Sequence, residues 1–439
     1  METNDLEENK FIQKITTIAF KLGQNIYLQA LKDAFSTLMP IFVLAGINTM
    51  LNSVLFPWIL KGEQLVTAQA YTGAIGNATL NISGLLVAPT IAFFLSKHLK
   101  FNNPYSSVVT AISSLFAILP VTTIVSDMNN PDTSATTKSV VLFNNIGTQS
   151  MFAGIIVGIF ATILYIRLTK VRLFEINLGE NVPPQISKSF SALIPTMVTV
   201  SVFGLISFAS YMIVGKDLIT LIVMIIQEPL RKVNTSLPGF VFLYSFGNFL
   251  FGLGIHQGVV MNSILDPFLI SNITDNMSAF QNGQEIPHIL TKPFVTCFPQ
   301  MGGTGGTISL LIAIFIFSKS KYTRNIAGLS FGPGLFNINE PLIFGIPIVF
   351  NLPLMIPFVL MPALYSVIGY YLTLFGLVSK TVVFVPWMTP PIVSGYLATG
   401  GDWRIVIAQI VLIILGVFIY LPFLKISDRL QDQKMGIKL

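Results

Sequence analysis

The feature that most constrains this chain is the spacing of its charged residues. Only 10% of the 439 residues are charged and 53% are hydrophobic, whereas a soluble domain carries about 25% charged residues. The charges separate ten long runs, uncharged except for one glutamate: 36–60, 64–96, 101–126, 139–166, 189–215, 233–265, 293–318, 325–379, 381–401 and 405–424. Each run is long enough for a helix of about 20 residues to cross a bilayer. The sequence therefore predicts a multi-pass membrane protein.

We expect an all-α polytopic fold with about ten transmembrane helices, because a helix satisfies its own backbone groups in lipid. Residues 217–232 have charges at both ends of an apolar middle, which indicates an amphipathic helix lying in the membrane interface. The run 325–379 is too long for one crossing, and the glycines of 297–307 would weaken a plain helix. Two re-entrant hairpins are therefore expected in the second half of the chain.

The sequence predicts three parts. Residues 1–215 contain five ordinary spans, and residues 216–232 form the interfacial connecting helix. Residues 233–439 contain the other five spans together with the glycine breaks and the proline-rich runs. No convincing internal repeat relates the two halves.

Loop charge predicts the orientation of the spans. The N-terminal arm carries four lysines up to Lys32, and the tail after Leu424 carries four basic residues, so both termini are expected in the cytoplasm. An even number of crossings is then required. This bias also explains the net charge of +6 without a nucleic-acid partner. The loop 127–138 carries two Asp and one Lys and is expected outside. The loop 319–324 also falls outside in the even count, although it is basic.

Several kinds of chemistry are not indicated. Cys297 is the only cysteine, and the three histidines lack the spacing of a metal-binding motif. The glycine-rich sequence 302–307 lacks the lysine of a phosphate-binding loop. We therefore expect no metal and no cofactor. No pairing of nucleophile and base suggests an enzyme that acts alone.

Glu340 is the only charged residue between Arg324 and Lys380. An ionised carboxylate at bilayer depth costs roughly 2.5–3.5 kcal/mol, so intramembrane carboxylates usually mark functional sites. Pro341 follows it and lacks a backbone donor, which predicts a broken helix. Such a break would present Asn337, Asn339 and Glu340 to sugar hydroxyls. A carboxylate at the mouth of a loop, in contact with water, is the competing interpretation.

Three more residues are candidates for substrate binding. His256 lies among glycines in the sixth run, and both its imidazole and the amide of Gln257 suit hydroxyl recognition. A buried histidine bonded to a backbone carbonyl is the competing interpretation. Trp387 lies near a proline-rich break and offers a platform for a sugar ring. An anchor in the interfacial belt of aromatic residues is the alternative for Trp387.

Two of these motifs resemble a known family. The sequence NINEPLIFGIPIVFNLPLMIPF at 337–358 looks like the signature of the membrane-spanning IIC component of phosphoenolpyruvate-dependent sugar phosphotransferase systems. GLGIHQGVV at 252–260 resembles the histidine motif of the lactose, cellobiose and diacetylchitobiose branch. The similarity covers nearly the whole chain. Gln257 departs from the pattern, because many members have glycine there.

The resemblance implies a permease of the bacterial plasma membrane that forms a homodimer mainly through its first half. The second half would enclose a β-linked disaccharide, with cellobiose as the first choice. A separate IIB component would phosphorylate the sugar 6-hydroxyl from a phosphocysteine, supplied through a IIA component, HPr and enzyme I. In the family the matching carboxylate and histidine contact the sugar. Glu340, His256 and Asn339 match by motif, and Trp387 matches by region.

The residues leave the role of the carboxylate open. Glu340 can accept the proton of a hydroxyl during phosphoryl transfer, or it can only orient that hydroxyl. An ion-coupled secondary sugar transporter, in which Glu340 carries a proton, is the alternative function. The two functions differ in their product, which is a sugar phosphate in one and an unmodified sugar in the other.

Overall fold

The computed structural model describes residues 21, 24–120, 122–126, 134–138, 140–147, 150–174, 176, 184–346, 348–349 and 351–434. The first helices are α1 Ile26–Met50, α2 Phe56–Ile59, α3 Glu63–Asn77, α4 Ser83–His98, α5 Pro104–Ala117, α6 Phe143–Ile146, α7 Met151–Leu168, α8 Pro184–Val214, α9 Leu218–Ile222 and α10 Glu228–Asn234. The remaining helices are α11 Leu237–Gly252, α12 Gly258–Val260, α13 Asp266–Gln281, α14 Lys292–Cys297, α15 Thr307–Phe317, α16 Lys321–Leu335, α17 Glu340–Gly345, α18 Leu352–Leu374, α19 Val393–Ala398 and α20 Trp403–Lys434. The predicted helical membrane-protein class is confirmed.

Short helical turns of other types join some of these helices. Segments Leu51–Leu55, Val223–Gln227 and Met261–Leu265 are π-helical, and Leu80–Ile82, Arg172–Phe174 and Thr304–Gly306 are 3₁₀-helical. One departure from the all-α prediction is an antiparallel hairpin of β1 Thr122–Ser126 and β2 Ser134–Lys138. Both strands are rich in β-branched residues, which favour extended backbone.

The chain forms two compact units. The first unit contains Asn25–Phe42 and Gly73–Leu230, and the second contains Val43–Thr72 and the chain from Arg231 onward. The end of α1 and the start of α3 therefore pack with the second half of the sequence, which the predicted division at residue 215 did not include. The roles assigned to the two halves stay predictions.

Within the first unit, the GxxxG motif of α7 packs against α4. A Cβ atom on Gly154 would lie 2.5 Å from the carbonyl oxygen of Gly84, and one on Gly158 would lie 2.7 Å from that of Ala88. Glycine is required at both positions because only its small size permits this approach. The contact, which the sequence could not assign within or between subunits, lies within one chain.

Six described helical segments are long and apolar enough to cross a membrane: Ile26–Ile59, Glu63–His98, Met151–Leu168, Phe190–Val214, Pro353–Leu374 and Trp403–Leu430. Two shorter apolar helices, Leu237–Gly252 and Thr307–Phe317, accompany them. The count of ten spans stays a prediction. However, the run 381–401 contains only the six-residue helix α19, which rises about 9 Å. That run does not form a crossing helix.

The predicted connecting helix is present. α9, the following π-helical turn and α10 are continuous from Leu218 to Asn234. Asp217 caps the start, because its carboxylate accepts a hydrogen bond from the backbone N–H of Thr220 at 2.9 Å. Its location in the membrane interface stays a prediction.

The polar stretch 266–292 includes the largely buried helix α13. Its amides bond to backbone carbonyl oxygens: Asn272 donates to Leu290 at 2.8 Å, and Asn276 donates to both His288 and Thr381 at 2.8 Å. Polar residues are buried here because the nearby irregular backbone supplies their partners.

The loop that begins at Ser318 lies at the C-terminal end of α20. The hydroxyls of Ser318 and Thr323 donate to the carboxylate of Asp428 at 2.7 and 2.8 Å. α20 has 32 residues and a length of about 48 Å, which is long enough for its two ends to lie on opposite sides of a membrane. The assignment of ten runs separated loop 319–324 from the C-terminal end of the chain because it treated 381–401 as a crossing, whereas the structure places the two at the same end of α20. The side of the membrane on which both lie stays a prediction.

The segment after this loop turns back on itself. Tyr322 donates its hydroxyl hydrogen to the carbonyl oxygen of Gly345 at 2.8 Å, and Asn351 donates to the hydroxyl of Ser427 at 3.2 Å. Both ends of segment 321–351 therefore lie at the same end of α20, with the turn at 336–339. This is the geometry of a hairpin, and its insertion into the membrane stays a prediction.

Candidate functional site

The two candidate side chains with titratable groups meet in the second unit. Nε2 of His256 lies 3.7 Å from Oε1 of Glu340. The side chains remain 62% and 46% exposed, so both can reach a ligand. A separation of 3.7 Å is too long for a direct hydrogen bond. The gap is too narrow to hold another atom, but both side chains are exposed, so a ligand group can contact both from the solvent side.

The end of α11 places His256. Gly254 adopts a φ of +85°, its N–H donates to the carbonyl oxygen of Phe251, and the N–H of Ile255 donates to that of Leu250, both at 2.9 Å. This arrangement is a Schellman motif, which stops a helix at a glycine in the left-handed conformation. His256 follows at once, and α12 begins at Gly258. The glycines around His256 therefore shape the turn that carries it.

A backbone contact orients the imidazole. The N–H of Gly258 donates to Nδ1 of His256 at 3.0 Å. Nδ1 must then carry a lone pair, so the proton of the neutral ring lies on Nε2, which faces Glu340. The ring also lies 4.9 Å from that of Phe251. His256 is thereby prepared to donate a hydrogen bond toward the carboxylate side.

The turn of the hairpin 321–351 places Glu340. Asn337 adopts a φ of +62°, which Asn tolerates better than most residues. Glu340 is the first residue of α17, and Pro341 follows in the first turn, where its missing N–H has no partner to lose. The predicted break of the helix at this motif is therefore present.

Asn339 is buried beside the site and holds the Glu340 turn in place. It is 3% exposed, and its Nδ2 donates to the carbonyl oxygen of Thr304 at 2.7 Å and to the hydroxyl of Thr307 at 2.9 Å. The amide therefore joins the Glu340 turn to the glycine-rich loop 302–306. Its predicted contact with sugar stays a prediction.

The glycines of that loop permit its close packing. Gly303 has a φ of +100°, and a Cβ atom there would lie 2.4 Å from Cγ of Asn339. A Cβ atom on Gly305, where φ is +81°, would lie 2.2 Å from the ring of Phe358. Both the backbone conformation and the space exclude a larger residue. The sequence GGTGGT is therefore a packing element beside the site, as its lack of a phosphate-binding lysine suggested.

The His256–Glu340 pair is suited to hold a hydroxyl group. A hydroxyl oxygen can accept a hydrogen bond from Nε2–H of His256 while its hydrogen is donated to Oε1 of Glu340. Hydrogen bonds to a charged group are stronger than those between neutral groups. The pair would then fix both the position and the proton of a single hydroxyl.

Comparison with known proteins identifies the family. Residues 32–362 match the family Phosphotransferase system, EIIC. The chain is 33% identical over 428 residues to the oligo-beta-mannoside-specific EIIC component of Bacillus subtilis (strain 168), covering 97% of this chain and 95% of the relative. The chain belongs to the EIIC family of the phosphotransferase system. The resemblance drawn from the motifs around His256 and Glu340 is confirmed.

Two further relatives of this EIIC chain extend the comparison. The cellobiose-specific EIIC component of Lactococcus lactis subsp. lactis (strain IL1403) is 27% identical over 488 residues, covering 96% of this chain and 98% of the relative. The crystal structure of ChbC, the IIC component of the N,N'-diacetylchitobiose-specific system, is 30% identical with a TM-score of 0.89. The match covers 98% of this chain and 100% of ChbC. The fold is therefore that of a known IIC transporter.

The other two candidate residues of this EIIC chain are placed differently. Gln257 is 4% exposed, and its Oε1 has no hydrogen-bond partner among the described residues. Trp387 is 37% exposed, and its backbone oxygen accepts a hydrogen bond from Asn337 at 2.7 Å. Their contacts with sugar stay predictions.

Sequence reasoning did not single out the residues that hold Asn339 and His256 in place. Thr304 and Thr307 hold Asn339, and Phe251 packs against the ring of His256. The glycine break at 302–307 was a signal for the two threonines, whereas an aromatic residue in an apolar run gives none. Among the described residues, no cluster of three His, Cys, Asp or Glu side chains suitable for a metal ion is found.

Proposed function

We propose that this EIIC component binds a β-linked disaccharide and holds its 6-hydroxyl between His256 and Glu340 for phosphorylation by a separate IIB component. The observation that supports the proposal is the exposure of both side chains with Nε2 and Oε1 only 3.7 Å apart, so that one hydroxyl beside them can reach both. The Gly258 contact leaves the proton of neutral His256 on Nε2, which faces Glu340. Membership of the family implies the cognate IIB component and the phosphorylation relay.

The chemistry of the transfer follows from this arrangement. The sugar oxygen attacks the phosphorus of the IIB phosphocysteine, a new O–P bond forms, and the S–P bond breaks to release the thiolate. Glu340 accepts the hydroxyl proton as the oxygen becomes more acidic during transfer. His256 stabilises the attacking oxygen by its hydrogen bond from Nε2. Sugar phosphate is the product.

Cellobiose is the proposed substrate. Related EIIC components are named for oligo-beta-mannosides and for cellobiose, and both names denote β-linked sugars. The exposed ring of Trp387 is proposed to stack on one sugar ring while the pair holds the hydroxyl of the other. Asn339 and Gln257 are proposed to complete the polar part of the site.

The site is proposed to open to the cytoplasm for transfer. The basic segment 319–324 and the C-terminal end of α20 share one side of the membrane, and positive charge favours the cytoplasm for both. The phosphate donors would be IIB, and upstream of it IIA, HPr and enzyme I. A homodimer is proposed, with the first half of the chain supplying most of the contact.

Uptake of labelled sugar tests this proposal. Cells that express the chain with its IIA and IIB partners receive labelled cellobiose, and the label inside is identified. We expect cellobiose phosphate, and no phosphate when IIB is omitted. The same assay with β-1,4-mannobiose, lactose and diacetylchitobiose ranks the alternative sugars. Free cellobiose that accumulates only with a proton gradient would contradict the proposal and favour the ion-coupled transporter, which no present observation supports.

A further inference from the structure

Asn337 connects three segments of the second unit through one side chain. It is 3% exposed, and its Oδ1 accepts a hydrogen bond from the N–H of Gly302 at 2.7 Å. Its Nδ2 donates to the backbone oxygens of Trp387 at 2.7 Å and Thr389 at 2.9 Å. Both amide hydrogens and one acceptor position are therefore used in a buried location.

These three segments bear directly on the proposed site. Gly302 begins the glycine-rich loop that packs on Asn339. Trp387 is the proposed sugar platform, and Glu340 lies three residues after Asn337 in the same turn. The side-chain amide of Asn337 therefore joins the backbone of Trp387 to the turn that carries Glu340.

A second amide fixes the far end of the Trp387 segment. Oε1 of Gln409 accepts from the N–H of Ile392 at 3.0 Å, and its Nε2 donates to the backbone oxygen of Cys297 at 2.7 Å. Ile392 has a φ of +76°, which is a costly conformation for a β-branched residue and persists only where the surroundings enforce it. Segment 387–392 is thus held under constraint between two buried amides.

We propose that Asn337 is a positioning residue that sets the distance between the Trp387 platform and the Glu340 carboxylate. The inference rests on the proposed sugar site. Through this link, stacking on one ring of the disaccharide and capture of the reacting hydroxyl on the other become a single recognition event. A displacement of about 1 Å at such a site can reduce the rate about 100-fold, so one amide is sufficient to control both steps.

Two substitutions remove the link in different ways. Asn337→Asp keeps the size and the acceptor for Gly302, but it places a carboxylate oxygen against the carbonyl oxygens of Trp387 and Thr389. Asn337→Gly keeps the positive φ at no steric cost and removes the whole amide. Asn351→Asp is the matched control, because the amide of Asn351 donates to the hydroxyl of Ser427, at the end of α20.

The first test measures phosphorylation kinetics per folded protein. With purified partners and cellobiose, we expect both Asn337 variants to raise KM and to lower kcat, each by about tenfold, while the Asn351 control stays within about twofold. A purely structural asparagine would lower the melting temperature and leave KM and kcat of the folded fraction unchanged. A lowered melting temperature with unchanged KM and kcat in both Asn337 variants would overturn the inference.

The second test reports on Trp387 itself. Trp58→Phe and Trp403→Phe leave Trp387 as the sole tryptophan, so its fluorescence on titration with cellobiose follows the platform. We expect a sugar-dependent change with Asn337 present and a much weaker one in Asn337→Gly. An unchanged response in Asn337→Gly would contradict the positioning role. If the protein with Asn337 intact neither responds nor phosphorylates any of the four disaccharides, the proposed function itself fails and the inference fails with it.

A double-mutant cycle completes the assignment. We expect the effect of Asn337→Gly on KM to be largely lost when Trp387→Ala is already present, because the amide acts on sugar binding through that platform. Non-additivity of this kind identifies residues that act through each other. Equal effects of Asn337→Gly in both backgrounds would overturn the coupling.

Discussion

Lys292 donates hydrogen bonds to both carboxylate oxygens of Asp266, at 2.7 and 2.8 Å, and the two side chains are only 10% and 9% exposed. Asp266 is the first residue of α13, and Lys292 is the first residue of α14. The ion pair therefore joins the starts of two helices that the polar loop 282–291 separates in sequence. It fixes the entry of the chain into the glycine-rich break that packs behind Glu340.

Breaking this pair should destabilise the protein. Removing one partner of a buried ion pair leaves an uncompensated charge and costs about 3–5 kcal/mol. We expect Asp266→Asn and Lys292→Met each to lower the melting temperature markedly, in one detergent at one pH. The combined variant should melt closer to the wild type than either single variant. A double variant that is destabilised by the sum of the two single effects would show that the pair is not coupled.

Glu340→Gln should separate binding from transfer. The amide keeps the size of the side chain but is a far weaker proton acceptor, and loss of a general base lowers rates by about 10²–10⁴. We expect cellobiose-dependent phosphate transfer from IIB to fall by this factor while the variant still inserts and folds. Glu285→Gln, at an exposed position, is the control and should behave as the wild type. Transfer at the normal rate in Glu340→Gln would remove the carboxylate from the reaction.

His256→Ala should weaken sugar affinity. The substitution removes the Nε2–H that faces Glu340, and one hydrogen bond to a ligand contributes about 1 kcal/mol, or about fivefold in affinity. Calorimetric titration with cellobiose measures the change. His98→Ala is the control, since His98 bonds to Asp33 at 2.9 Å in the first unit. Unchanged affinity in His256→Ala would return this histidine to a structural role.

Gly303→Ala should disturb the packing of the glycine-rich loop against Asn339. The new methyl group would meet the side chain of Asn339 at a φ of +100°, so the loop and the Glu340 turn must separate. We expect a lower melting temperature and loss of most of the phosphorylation activity. Gly328→Ala is the control, because a Cβ atom there meets nothing within 4 Å, and alanine favours the helix by about 1 kcal/mol. Equal behaviour of the two variants would contradict the packing role of Gly303.

The side of the loop 319–324 can be tested by cysteine labelling. Cys297 is buried, and Cys297→Ser supplies a background without cysteine. We expect Lys321→Cys and Arg429→Cys to react with an impermeant maleimide from the same side of the membrane. Glu285→Cys should react from the opposite side, because Lys380 bonds to the backbone of Ile286 and Ser379 bonds to Asp402 at the other end of α20. Reaction of Lys321→Cys and Arg429→Cys from opposite sides would contradict this arrangement.

The centre of the site could be predicted from the sequence because a charge in an apolar run is costly. Glu340 and the glycine-flanked His256 were singled out for that reason, and the structure brings them within 3.7 Å. Asn337 was expected to face sugar hydroxyls, but its side chain is buried and bonds to backbone groups 35 and 50 residues away. No local pattern encodes such partners.

The fold was predictable in class and less so in detail. Uncharged runs predicted helices correctly, but 381–401 forms mostly irregular backbone, and its prolines and glycines do not by themselves distinguish a crossing from a packed loop. The burial of α13 was not predictable either, because composition does not show that Asn272 and Asn276 have buried backbone partners.

The central claim is that His256 and Glu340 together hold the hydroxyl that is phosphorylated. The most direct measurement compares the affinity of the purified protein for cellobiose and for two cellobiose analogues, each lacking one of the two 6-hydroxyls. We expect the analogue without the phosphorylated hydroxyl to bind wild-type protein about tenfold or more weakly than cellobiose. In His256→Ala the difference between this analogue and cellobiose should be smaller, because only Glu340 still contacts the hydroxyl. Equal affinity of wild-type protein for cellobiose and both analogues would contradict the claim.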